Sequence, residues 1–364
     1  MKLRNLHIED YKMFKDFDIS FVDENDEALP IIVLAGVNGS GKTTLLEFIK
    51  NISIHTKEYY SLLDEYDDFY IRDDSGEIIG VEPRVLPFEI EEEGQIFNTI
   101  HNVGKFSFSP IYFLSGTDDI LNIEKEFVKH WYNQVKFHNK RNYEITEVLQ
   151  KFITEVLYGL DLDFTYSYID EEDNIFFQNT SDEKFRISKL STGEQTLLSK
   201  VLYLFFKNYK DKIILIDEPE LSLHPSWQNR VLKIYENFAI NNNCQIIIAT
   251  HSPHIIGSAK AKYIRLLLKK EDDKVVAIEN IERSYGLEFD KILTDIMGVE
   301  NLRTPDVAKD IRRLWDLLED EDYESQEYIA LYDNLEKLLG SLDKDMVLSR
   351  LEIARIKSLN AKSE

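Results

Sequence analysis

Eight consecutive residues, Gly36-Val37-Asn38-Gly39-Ser40-Gly41-Lys42-Thr43, have the types and spacing of a phosphate cradle, G-x-x-x-x-G-K-[ST]. The glycines let backbone N–H groups turn inward around an anion. Lys42 can reach the β and γ phosphates of a nucleotide, and the Thr43 hydroxyl can ligate Mg²⁺. A glycine-rich turn with a surface lysine shares part of this pattern, and context separates the two. The apolar run Ile31-Ile32-Val33-Leu34-Ala35 precedes the loop, and Leu45, Leu46, Ile49 and Ile52 follow at helical spacing, which is the strand–loop–helix setting the motif requires. The expected nucleotide contacts are Gly36, Asn38, Gly39, Ser40, Gly41, Lys42, Thr43 and Thr44, with ATP and Mg²⁺ as cofactors.

Two adjacent carboxylates, Asp217 and Glu218, stand at the exit of a second apolar run, Ile213 to Ile216, on the edge where α/β sheets place ligands. Asp217 is expected to hold Mg²⁺ through water, and Glu218 to polarise a water in line with the γ phosphate. A plain acidic strand cap would use the same residues. His251 leaves a third run, Ile246-Ile247-Ile248-Ala249, where it can hydrogen-bond a γ phosphate or serve structure alone. Ser191 and Glu194 in Leu190-Ser191-Thr192-Gly193-Glu194-Gln195 spell a helix capping box. A helix N-terminus is also an anion site, so Ser191, Gly193 and Glu194 join the cofactor-binding candidates.

The elements that must position these residues alternate strand and helix. Alternating apolar residues at Leu3, Leu6, Ile8 and then Phe17, Ile19, Phe21 predict two opening strands. Residues from about 67 to 110 read as hairpins, with Asp74-Ser75-Gly76 as a turn, and 117–160 read as helical. The three apolar runs then imply an α/β core. From Thr304 the chain loses its strand runs: Val307, Ile311, Leu314 and Leu318 share one helical face, Tyr328, Tyr332, Leu335 and Leu339 a second, and a third helix starts near Asp343. The expected organisation is a domain over 1–303 and an acidic helical extension over 304–364.

Among 364 residues, 43 Lys and Arg stand against 67 Asp and Glu, a formal charge of −24, so any nucleic-acid contact must be a local patch. The single cysteine of the chain, Cys244, has no partner for an internal disulfide, and no apolar run approaches the roughly 18 residues of a membrane span. A cytoplasmic protein without membrane contact is expected.

Taken in order, the phosphate loop, Leu190 to Gln195, the strand ending in Asp217-Glu218 and His251 resemble the ATP-binding-cassette (ABC) ATPases. That family carries a Walker A loop, an LSGGQ-like signature, a Walker B strand and a switch histidine. Leu221-Ser222-Leu223-His224-Pro225 looks like its D-loop, while Thr192 and Glu194 depart from its signature. The resemblance implies a P-loop NTPase fold of ABC ATPase type with a β-rich N-terminal lobe, a helical insertion and an all-helical C-terminal extension. It also implies a head-to-tail homodimer in which Ser191 and Gly193 act in trans on ATP held by the partner's loop, with Glu218, His251 and Lys42 as the catalytic set. Gln95 is the candidate for the family's Q-loop glutamine.

The opening Leu3 to Phe14 and the run Glu218-Pro219-Glu220 resemble the RecF, SMC and OLD branch, without long coiled-coil arms. The acidic helical tail is similar to that of the ATPase of Septu-type anti-phage systems, in which a separate HNH nuclease docks on the ATPase. This implies an ATP-gated sensor for a separate effector, docked on the tail. Trp315, Tyr328 and Tyr332 are either its anchors or packing residues of the tail itself. Two basic stretches offer nucleic-acid contact or simply solvated faces: Lys125, Lys129, Lys136, Lys140 and Arg141 among aromatics, and Lys260, Lys262, Arg265, Lys269 and Lys270. A RecF-like repair ATPase that binds DNA with ATP, and a transporter's nucleotide-binding subunit, are the alternatives.

Overall fold

The computed structural model describes residues 1–59, 70–72, 78–80, 85–92, 95–99, 111–113, 123–138, 141–158, 164–207, 209–221, 223–270 and 273–363. The chain divides into two compact units, Met1–Ile292 and Leu293–Glu364. The first begins with β1 (Lys2–Tyr11), β2 (Phe14–Ser20), β3 (Ile31–Ala35), α1 (Lys42–Tyr59), β4 (Tyr70–Arg72), β5 (Ile78–Gly80), β6 (Val85–Glu92), β7 (Gln95–Thr99) and β8 (Ile111–Phe113). Helices α2 (Ile123–His138) and α3 (Asn142–Tyr158) follow, then β9 (Phe164–Ile169), β10 (Ile175–Asn179), β11 (Lys184–Arg186) and α4 (Thr192–Lys207). The unit closes with β12 (Ile213–Asp217), α5 (Pro225–Asn241), β13 (Gln245–Ala249), α6 (Pro253–Ser258), β14 (Ile264–Lys269), β15 (Val275–Ile278) and the short α7 (Phe289–Lys291).

Its centre is a six-stranded sheet in the order β15-β14-β3-β13-β12-β8, parallel except for β15. Every residue of β3, β12 and β13 is buried, which is why these runs are continuously apolar rather than alternating. The opening strands do alternate, and they form an antiparallel sheet in the order β2-β1-β6-β7. The hairpin stretch thus completes the first sheet, with Leu3 opposite Ile90 and Leu6 opposite Phe88. The Asp74-Ser75-Gly76 turn lies outside the described residues. A third sheet, β11-β10-β9, packs Tyr166 and Phe177 inward next to Phe127 of α2.

In the second unit, α8 (Pro305–Glu319), α9 (Gln326–Leu339) and α10 (Lys344–Ser363) enclose Ile311, Leu314, Leu317, Leu318, Tyr328, Leu335 and Met346. Trp315 and Tyr332 pack on this cluster. Tyr328 therefore belongs to the unit's own interior, while Trp315 and Tyr332 pack on it and stay half-buried. Arg303 bridges Asp343 and Asp345, and Arg313 bridges Glu327.

One side chain ties the two larger sheets together. Gln245, fully buried at the start of β13, accepts from the Leu3 N–H (2.7 Å) and donates to the carbonyls of Leu3 (2.9 Å) and Leu29 (3.0 Å). An apolar replacement leaves three buried backbone groups unpaired. Gln245→Leu should therefore lower unfolding free energy in urea by about 2–3 kcal/mol, and a loss below about 0.5 kcal/mol would contradict this role for the side chain.

Candidate functional site

The site begins with strand register. β3, β13 and β12 are neighbours in the sheet and run parallel, with Ala249 paired to both Leu34 and Asp217. Three strands consequently end level, and their exits deliver the glycine loop, Thr250-His251 and Glu218 to one edge. The Thr250 N–H donates to the Leu34 carbonyl and the Glu218 N–H to the Ala249 carbonyl, carrying the alignment past the strands themselves.

In the loop, Gly36 has φ +144°, and a Cβ there would lie 2.5 Å from the Leu267 carbonyl oxygen. Gly41 has φ +95° and backs onto Met13 and Phe14, 2.7 Å and 2.9 Å from an added Cβ. These two glycines are required by space as well as by backbone conformation. Ser40 and Lys42 are buried, whereas Val37, Asn38 and Gly39 form an exposed crest and Thr44 is half-buried. The Lys42 ammonium donates to the carbonyls of Gly36 (2.8 Å) and Val37 (3.0 Å), so the loop is folded over its own lysine. Burial pulls the Lys42 ammonium down to about 8, against the attraction of Asp217, Glu218 and Glu220.

Asp217 is buried at the end of β12, close enough to Thr43 at the helix start for that hydroxyl to act on its carboxyl. Burial, reinforced by Glu218 and Glu220, pushes the Asp217 carboxyl up, while Thr43 and Lys42 pull it back. Its Oδ1 is shut off from solvent without a partner. A bare carboxylate oxygen beside a threonine hydroxyl is a hard-oxygen donor pair that fits Mg²⁺. Glu218 adopts φ +45°, a left-handed conformation costing a non-glycine residue roughly 1–2 kcal/mol. Its Oε1 lies 3.8 Å from His251 Nε2, and burial, then the charge of Lys42, lowers the imidazole pKa.

The signature candidates lie at the start of α4. The Ser191 N–H donates to Glu194 Oε2 (2.7 Å) and the Glu194 N–H to Ser191 Oγ (3.3 Å), a reciprocal capping box. Ser191, Gly193 and Glu194 make no hydrogen bond or ion pair with the phosphate loop of their own chain among the described residues. In the segment after Glu220, His224 caps α5 by accepting from the Ser226 N–H (3.3 Å).

Two residues of this site carried no role in the sequence reading. Glu220 Oε1 accepts from the Thr250 hydroxyl (2.7 Å) and the His251 N–H (2.8 Å), and Lys200 of α4 donates to the Pro219 carbonyl (3.2 Å). Their signal was the second glutamate of Glu218-Pro219-Glu220, whose partners lie thirty residues on. Gln95 begins β7 in the antiparallel sheet, opposite Glu92, and not on the sheet that carries the other motifs. The second basic stretch is largely neutralised. Lys260 pairs with Glu236, Lys262 with Asp23 and Lys269 with Asp273, while Arg265 is buried and donates to the Val22, Lys262 and Ile264 carbonyls. In the first stretch, Lys125, Lys129, Lys136 and Arg141 are exposed, and Lys140 lies outside the described residues.

A phosphate loop between a buried strand and a helix, with an Asp-Glu strand end on the same parallel sheet, defines the class of fold as that of a P-loop NTPase. The family described as "AAA ATPase domain" matches residues 1–135, and "AAA domain, putative AbiEii toxin, Type IV TA system" matches residues 117–257. The chain is similar to the Septu protein PtuA of Bacillus thuringiensis, 27% identical over 65% of this chain and 64% of that protein. It is also similar to the OLD nuclease of Thermus scotoductus, 33% identical over 29% of this chain and 20% of that one. An SMC head domain from Thermotoga maritima covers 77% of this chain and 100% of that one, with TM-score 0.46 and 15% identity. The chain spans less than two thirds of the length of these two curated relatives.

The state of Lys42 sets a pH dependence. A bound polyphosphate favours the ammonium, so ATP binding takes up a proton wherever the free loop has lost it, above about pH 8. Affinity for a fluorescent ATP analogue should therefore fall above that pH by up to about tenfold per unit. Affinity unchanged to about pH 10 would contradict the assignment.

Proposed function

We propose that the protein binds and hydrolyses ATP with Mg²⁺ at composite sites of a homodimer, and that this gates a separate effector nuclease in bacterial anti-phage defence. The observation that carries the ATPase part is the single sheet edge joining Lys42, the neighbouring Thr43 and Asp217, and the Glu218–His251 pair. In this reading the Lys42 ammonium leaves its two loop carbonyls for the β and γ phosphates, and backbone N–H groups of the crest take the remaining phosphate oxygens. Thr43 and Asp217 would hold Mg²⁺, which when bound supplies charge neutralisation at the phosphates. Glu218 accepts a hydrogen bond from the attacking water and orients it towards the γ phosphorus, and His251 steadies the γ phosphate.

The dimer part is supported by the signature cap, which has no bond to its own loop and is exposed at Ser191. Engaging a partner's γ phosphate would draw the Ser191 hydroxyl off the Glu194 N–H, freeing a donor at a helix N-terminus. The defence part is supported by the similarity to a Septu protein and to an OLD nuclease. Docking of an HNH-type nuclease on the tail is supported by apolar side chains the second unit leaves outside, Ile329, Leu338, Leu342, Leu351 and Leu359. Nucleic-acid contact would fall to the exposed basic residues of α2. A cytoplasmic location fits the lone buried thiol of Cys244, and no described helix is long and apolar enough to cross a membrane.

Glu218→Gln should retain ATP, slow hydrolysis by about 10²–10³-fold and trap the closed dimer. Lys42→Ala should lose nucleotide. Equal ATPase rates in both variants and the parent would refute the site.

Removing residues from Thr304 onward should abolish co-purification of the nuclease produced from a neighbouring gene while leaving ATP binding intact. A nuclease that still co-purifies would overturn the docking assignment.

A further inference from the structure

The turn that leaves β12 is held from two sides. On one side Glu220 reaches the switch segment, where its Oε1 accepts from both the Thr250 hydroxyl (2.7 Å) and the His251 N–H (2.8 Å). Thr250 passes the constraint on, accepting from the Ser252 N–H at 3.0 Å, and Ser252 Oγ caps α6 and donates to Gln228 (2.6 Å). On the other side Lys200, from the third turn of α4, donates to the Pro219 carbonyl (3.2 Å). Lys200 and Glu220 also act on each other through their charges, with Glu220 working against the burial that pulls the Lys200 ammonium down to about 8. Glu220 Oε2 is shut off from solvent without a hydrogen-bond partner.

We propose that Glu220 and Lys200 are positioning residues for hydrolysis, joining α4, the Glu218 turn and the backbone of His251 into one mechanical piece. The proposal rests on the ATPase reading above. Neither side chain needs to touch nucleotide. Glu220 fixes the backbone from which His251 projects, 3.8 Å from Glu218, and Lys200 fixes the turn from which Glu218 projects. The helix that opens with Ser191 is thereby linked to the edge that orients water, so a partner's nucleotide engaging that helix would bear on the chain's own histidine. Glu220 is half-buried with Oε2 sealed from solvent, a costly setting for packing alone, and its other oxygen makes two hydrogen bonds across thirty residues.

The test uses the full chain, with thermal unfolding of each variant checked first. Glu220→Ala should lower kcat by about 100-fold with KM for ATP within about threefold. Glu220→Gln keeps an acceptor oxygen and should recover most of the loss. Lys200→Met should lower kcat by about tenfold, and Lys200→Arg, which keeps a donor, should restore it. Because Glu220 acts through His251, the double variant Glu220→Ala/His251→Ala should lose no more than the worse single one. Multiplicative losses, or a raised KM at unchanged kcat, would overturn the proposal.

If the parent hydrolyses no ATP, the ATPase reading fails, and the clamp is judged by histidine-ring NMR instead. The His251 signal, identified by its absence in His251→Asn, should move in Glu220→Ala and return in Glu220→Gln. A signal at the parent position in Glu220→Ala overturns the clamp.

Discussion

Three buried parallel strands that end level are the constraint on which the site depends. β3, β13 and β12 each have a neighbour on both sides, and Ile246, Ile247 and Ile248 of the middle strand are wholly enclosed. A slip of one residue would carry Asp217 about 3.3 Å along the sheet and turn its side chain to the other face. Such a slip would also expose or overpack every isoleucine of the run. The hydrophobic effect thus sets a polar geometry: the isoleucines choose the register, and the register places Thr43 against Asp217. The Gln245 side chain reinforces this from the far end of β13, where it ties the same strand to the antiparallel sheet.

Charge supplies the second constraint. Asp217, Glu218 and Glu220 all act on the buried Lys42 ammonium, and Glu220 also acts on Lys200, so three carboxylates answer two ammoniums. Two buried oxygens of these carboxylates have no hydrogen-bond partner, Asp217 Oδ1 and Glu220 Oε2. They differ in what surrounds them. The first belongs to a carboxylate beside a threonine hydroxyl, a setting that suits a dication. The second feels the Lys200 charge, while its sister oxygen makes two hydrogen bonds. Left-handed Glu218 is held by its N–H bond to Ala249 and by the Leu221 N–H on its carbonyl, so the strain at that turn is balanced by the sheet it leaves.

What was legible in the sequence follows from the range of each signal. The phosphate loop, the apolar strands and the helix stripes are local patterns, and they lie where their periods place them. The antiparallel sheet was only half visible, because the pairing of Leu3 with Ile90 leaves no local trace. Glu220 was in view as a residue but silent as a clamp, since its partners are Thr250 and His251. Lys260, Lys262 and Lys269 read as a basic patch until Glu236, Asp23 and Asp273 are set beside them. In an acidic chain, a run of lysines is as readily the answering half of structural ion pairs as a surface for polyanions. Gln95 shows a similar limit: a glutamine in sequence does not reveal which sheet its strand joins.

The second unit shows how a small bundle divides its apolar residues between stability and exposure. Tyr328 lies in the core and Trp315 and Tyr332 pack on it, while Leu342 is 90% exposed and Leu351 61%. Large rings fill a three-helix interior with fewer side chains to immobilise than aliphatic residues would require. Leucines on the outside gain nothing for the unit itself, and on α10 Leu351 and Leu359 are interspersed with Arg350, Glu352 and Arg355. Arg350 reaches back to Glu336 and Tyr332, so part of the charged fringe is already held by the bundle. In the proposed docking these outward leucines would supply area, and the arginine and glutamate side chains already held in pairs would set orientation.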